Sequence, residues 1–114
     1  MKILKFQNPI FSKYLNYTVR LGDKWADTKV GEKLRIANTK KIATIAFVTR
    51  TRLLWLATPD RDRPDILRYE HDPDCRLFVG LVRALRKAYG KDRLDILSPV
   101  TCLGFYVSER GDLK

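Results

Sequence analysis

"NYTVRLGDKWADTKVGEKLRI", residues 16–36, decides how the rest of the chain is read. On an extended backbone side chains two apart share a face, so Thr18 and Arg20 project together from one strand. The "DKWADTKVGE" that follows is a polar loop, and its Gly31 supplies a turn into a second, basic strand, "KLRIA". A hydroxyl and a guanidinium are thus aimed at one spot, with a run of cations beside them.

Outward from this stretch, "MKILKF" reads as a strand that Asn8-Pro9 terminates by turn chemistry. "IFSKYLNY" predicts a short helix, with Pro9 at its first turn and Ile10, Tyr14 and Tyr17 at spacings of four and three. After Thr39, "KKIATIAFVTRTRLLWLA" is β-branched and aromatic and apolar on both faces at "IAFV". It predicts a central strand that bends or breaks near Thr49 to Arg52 and continues through Leu53 to Leu56. The two prolines and five charges of "TPDRDRPD" make an exposed connection.

"CRLFVGLVRALRKAY", Cys75 to Tyr89, is the clearest helix. At about 100° per residue, Leu77, Phe78, Leu81, Val82, Leu85, Ala88 and Tyr89 fall on one arc, with Arg76, Arg83 and Lys87 as a stripe opposite. Gly90 ends it. A last strand runs from Val100 to Val107. The order of elements predicts an α+β fold around a small closed sheet, and with 114 residues and neither linker nor repeat, one domain spans 1–114.

Charge narrows the partners. Residues 1–60 carry 12 basic and 4 acidic side chains, whereas residues 61–114 carry 11 and 9, so the positive field belongs to the first half. Such a field steers polyanions and gains from counterion release, which puts nucleic acid first among partner classes. Cys75 and Cys102 fit neither a metal pattern nor a disulfide framework and are expected to be reduced, in a cytoplasmic protein. No apolar run approaches the roughly 18 residues of a membrane span.

The N-terminal "KILKF" strand, "YTVRLGDK", "KVGEKLRI" and the strand ending at "VTRTRLL" together resemble the ASCH domain of the PUA-like superfamily. Thr18 and Arg20 fit that family's Thr/Ser-x-Arg strand, and Lys29, Gly31 and Glu32 fit its Lys-x-Gly-Asp/Glu turn. The resemblance implies a small β-barrel with a short N-terminal helix, a longer amphipathic helix near the C-terminus, and a ligand cleft near the first helix. It implies RNA binding or, in a few members, hydrolysis of RNA or of acylated, modified nucleosides. In the amidohydrolase members a Lys three residues before the Thr, the Thr, and a Glu ahead of the second helix act together. Here the Lys position falls on Leu15, and Asp74 lies near the Glu position.

The candidate catalytic residues are therefore Thr18 as hydroxyl, Lys13 or Lys24 as ammonium or base in place of Leu15, and Asp74 as carboxylate. The candidate nucleic-acid or ligand contacts are Arg20, Lys24, Trp25, Lys40, Lys41, Arg50, Arg52, Arg76, Arg83 and Lys87. Cations track a phosphate backbone, and Trp25, in a polar loop, is the better stacking residue, while Trp55 in "LLWLA" reads as core. RNA ranks ahead of DNA. His71 lacks metal-site spacing, and Asp72 and Asp74 suit a helix N-terminus, so neither metal nor cofactor is expected. An adaptor whose basic surface meets an acidic protein is the remaining alternative.

Overall fold

Strands β4 (Ile42–Arg52) and β5 (Pro99–Ser108) form a long antiparallel pair at the centre of the sheet. Around them lie β1 (Ile3–Leu4), β2 (Asn16–Leu21) and β3 (Lys33–Ile36), in the order β1-β3-β4-β5-β2. All neighbours are antiparallel except β1, which pairs parallel to β3. The computed structural model describes residues 2–57 and 66–108, so the charged connection "TPDRDRPD" lies outside the described residues.

The sheet buries apolar side chains on both faces because β5 is apolar at both parities. Val100 and Cys102 enter one core with Val19, Leu53, Leu81 and Leu85, while Leu103 and Phe105 enter the other with Leu4, Leu34, Ile36 and Ile45. The first core is closed by helix α1 (Phe78–Tyr89), which buries Leu81 and Leu85 and presents Arg83 and Lys87 to solvent. Gly90, with φ of 91°, ends α1 and sends its N–H to the Arg86 carbonyl. Gly80 lies on the preceding Pro73–Cys75 turn so closely that a Cβ there would sit 1.9 Å from the Asp74 carbonyl oxygen.

Several expectations are corrected. Residues 10–17 form no helix: Asn16 already belongs to β2, whose pairing with β5 and the core outweighs a weak local spacing. The central strand breaks at Arg52, within the expected stretch, but it carries its irregularity earlier, between Ile45 and Phe47, and Leu53–Ala57 is a 3-10 turn rather than its continuation. α1 starts at Phe78, leaving Arg76 and Leu77 ahead of it, with Leu77 and Ala88 exposed. The sheet does not close: β1 and β2 are its two outer strands and make no pairing with each other among the described residues.

No helix among the described residues is long and apolar enough to cross a membrane.

Candidate functional site

β2 is an outer strand, and what covers its free edge creates the site. The Tyr17 N–H donates to the Tyr69 carbonyl at 3.1 Å, and the His71 N–H donates to the Tyr17 carbonyl at 2.8 Å. Two residues further along, the Val19 N–H is taken by the carboxyl of Glu70. A side chain thus completes the edge where the backbone segment has turned away.

Glu70 is buried and held from several directions. The Asp72 N–H donates to its Oε1 at 3.2 Å, His71 Nε2 lies 3.3 Å from the same oxygen, and Arg76 Nε donates to its backbone carbonyl at 3.1 Å. Burial outweighs these donors and pushes the carboxyl up to about 8, so at neutral pH it is mostly protonated. His71 is held below its ordinary value, again chiefly by burial. Its ring packs 4.7 Å from Phe6 and 5.4 Å from Phe11, between centroids, and Nδ1 meets the Ile10 carbonyl at 3.2 Å.

Thr18 and Arg20, projecting from the same side of β2, both line a cleft of about 100 Å³ with Glu70, His71, Asp72 and Tyr89. The far wall is α1, through Leu81, Ala84, Leu85 and Ala88, and the rim is the segment from Lys5 to Asn8. Arg20's guanidinium carbon lies 4.7 Å from the centroid of the Phe6 ring, and the group hydrogen-bonds the Tyr89 phenol. Its Nε is buried without a hydrogen-bond partner. A guanidinium is charged at any physiological pH, so a half-buried one with an orphaned Nε and a neutral carboxyl neighbour retains unspent donor capacity.

The other expected catalytic residues do not gather here. Lys13 and Lys24 are exposed and lie off the cleft wall, and Lys24 instead places its ammonium 5.6 Å from the Trp25 ring centroid. Asp74 is exposed and lines a neighbouring groove with Arg83 and Lys87. Its backbone N–H is capped by Asp72 Oδ1 at 3.0 Å, the ordinary work of an Asp-Pro helix start. Glu70, unmarked among the candidates, is the carboxyl that reaches Thr18's side of the strand.

The expected nucleic-acid contacts are dispersed. Trp25 is 7% exposed and belongs to the second core, whereas Trp55 is 58% exposed, so the two tryptophans exchange the roles their surroundings predict. Arg50 pairs with Asp23 at 2.9 Å, Arg52 donates to the Leu97 carbonyl at 2.8 Å, and Arg76 is bound to Glu70. Lys40 is exposed at the β3–β4 turn beside Lys41, whose ammonium lies 5.9 Å from the Phe11 ring centroid. Among the described residues no group of three or more His, Cys, Asp or Glu side chains could hold a metal ion. No protein-family model, curated protein or solved structure matches the chain.

Proposed function

We propose that the chain is an RNA-binding module, of the ASCH-like and PUA-like kind its motifs resemble, whose Arg20–Glu70 cleft takes the base of one nucleotide. The observation that carries this reading is the buried, unpartnered Nε of Arg20 beside a carboxyl pushed up to about 8. A nucleobase amide edge complements the pair: its carbonyl oxygen accepts from the guanidinium, and its N–H donates to a carboxyl oxygen. The cleft volume of about 100 Å³ suits a single ring or a small polar group, being below the roughly 300 Å³ of sites for drug-sized ligands.

A hydrolase acting on RNA or modified nucleosides is the second reading. It is favoured by one fact, that a carboxyl titrating near neutrality shares the cleft with Thr18. In that case Glu70, in place of Asp74, is the proton acceptor.

Calorimetry with uridine and cytidine monophosphates, on wild type and Arg20→Lys, tests the binding reading. Arg20→Lys keeps the charge but loses the planar fork, and at least a tenfold weakening with an unchanged circular-dichroism spectrum is expected. Equal binding by both proteins, or none by either, overturns it. Product formation lost in Glu70→Gln moves the assignment to the hydrolase.

A further inference from the structure

Among the described residues every charged side chain on the strands is cationic: Arg20, Lys33, Arg35, Arg50 and Arg52, with neither Asp nor Glu on a strand. Two of them lie on a part of the sheet that α1 does not cover. Leu34 and Ile36 enter the second core, so Lys33 and Arg35, at alternate positions of β3, face the opposite side and are exposed. The register then sets Lys33, Thr44 and Tyr106 in one row across β3, β4 and β5. Residues paired across strands project to the same face. Tyr106 is 50% exposed there.

A second exposed ring stands nearby. Tyr69 is 52% exposed and carries the Arg68 guanidinium 5.7 Å from its ring centroid. Tyr69 stands at the free edge of β2, where its carbonyl accepts from the Tyr17 N–H, and Tyr106 lies on β5 two residues from Gly104, the cross-strand partner of Tyr17, so both exposed rings lie close to one buried ring. Tyr17 is itself fixed, edge-on to Phe47 at 5.9 Å, over Gly104, where a Cβ would come within 2.8 Å of it.

We propose that this open sheet face holds a single-stranded nucleic acid, with bases stacked on Tyr106 and Tyr69 and phosphates tracked by Lys33, Arg35 and Arg68. Two strand spacings of about 4.8 Å separate Lys33 from Tyr106, a separation that one nucleotide spans between its base and its phosphate. Aromatic faces accept any base, and the described strands place no carboxylate of their own along a phosphate chain. A protein partner could use the tyrosines, but cations without carboxylates select a polyanion over an ordinary mixed-charge surface. The class of occupant rests on the RNA-binding reading above, whereas the surface shares no residue with the Arg20 cleft.

The test is fluorescence anisotropy of a labelled twelve-residue oligouridylate with the full chain, at salt from about 50 to 200 mM. Each of Tyr106→Ala and Tyr69→Ala is expected to weaken binding about 5-fold to 160-fold, matching a stacking loss of about 1–3 kcal/mol. Tyr106→Phe binds like wild type, and Lys33→Ala with Arg35→Ala lowers the salt slope by about 1.4. Both tyrosine variants binding like wild type, no binding of the oligonucleotide, or tyrosine-dependent capture of polyglutamate in its place overturns the proposal. Uridine monophosphate measured in parallel reads the cleft alone. An oligonucleotide that binds through the tyrosines while the mononucleotide does not bind leaves the sheet face standing and removes the cleft reading.

Discussion

His71 Nε2 lies 3.3 Å from Glu70 Oε1, and the contact joins two neutral groups rather than an ion pair. The tautomer follows from the other ring nitrogen. The Ile10 carbonyl can only accept, so Nδ1 carries the hydrogen toward it at 3.2 Å. Burial keeps His71 uncharged, leaving Nε2 as an acceptor, and the protonated Glu70 carboxyl supplies the hydrogen it accepts. The Asp72 N–H donates to the same carboxyl oxygen, which therefore accepts one bond and donates another.

This arrangement makes stability depend on pH with a definite sign. Below 4.5 the Glu70 carboxyl is protonated folded and unfolded alike; between 4.5 and about 8 only the unfolded chain ionises it, so folding stability falls as pH rises through that interval. His71 acts oppositely: folded, it resists protonation, so stability also falls as pH drops below 6.5. Urea unfolding of Glu70→Gln should lose the decline between pH 4.5 and about 8, which amounts to roughly a few kcal/mol in wild type. Parallel pH profiles for the two proteins would contradict the buried, protonated carboxyl.

Gly80→Ala pits local propensity against packing. Alanine favours a helix interior by about 1 kcal/mol over glycine, but here its Cβ would meet the Asp74 carbonyl oxygen at 1.9 Å. The backbone of α1 must move off the Pro73–Cys75 turn, so a net destabilisation of about 1–3 kcal/mol is expected, read as a lowered thermal midpoint. An unchanged or raised midpoint would show that the two turns are not in contact.

The tryptophans give a spectroscopic check. Trp55→Phe should leave a blue-shifted emission that acrylamide quenches poorly, because Trp25 is buried beside Leu34 and Phe105. Trp25→Phe should leave a red-shifted, readily quenched emission and a less stable protein. The reverse assignment would return Trp25 to the surface as a stacking residue.

Both cysteines are free and buried, and Cys75, in the cleft wall, has its thiol pushed up to about 12, first by burial and then by Glu70, Asp72 and Asp74. A thiolate is the reactive form, so the native protein should react slowly with a disulfide reagent at pH 8 and rapidly once unfolded. Fast native labelling of Cys75 would mean that the cleft opens.

The elements that sequence made legible are those whose periodicity matches their burial. In α1 the spacing of Leu81 and Leu85 coincides with the buried face, and in β3 the alternation of Leu34 and Ile36 with Lys33 and Arg35 does the same. Residues 10–17 misled because Ile10 and Tyr14, whose spacing suggested a helix, are exposed and pack on little. Local spacing cannot report that Asn16 and Tyr17 pair with Phe105 and Gly104, some 90 residues away in sequence. Thr18 and Arg20 were readable as one face of one strand. Glu70 was not, because its partner is the free edge of β2, which exists only once the strand order is set.

The neutral carboxyl beside Arg20 is the premise of the cleft, and the most direct test is a carbon-detected NMR titration of the Glu70 side-chain carboxyl. The account predicts a midpoint near 8 for Glu70. It also predicts a ring-nitrogen spectrum for His71 in which Nδ1 carries the hydrogen throughout the neutral range. A Glu70 midpoint at or below its ordinary 4.5 would make the pair with Arg20 an ion pair and leave the guanidinium no unspent charge to offer a ligand.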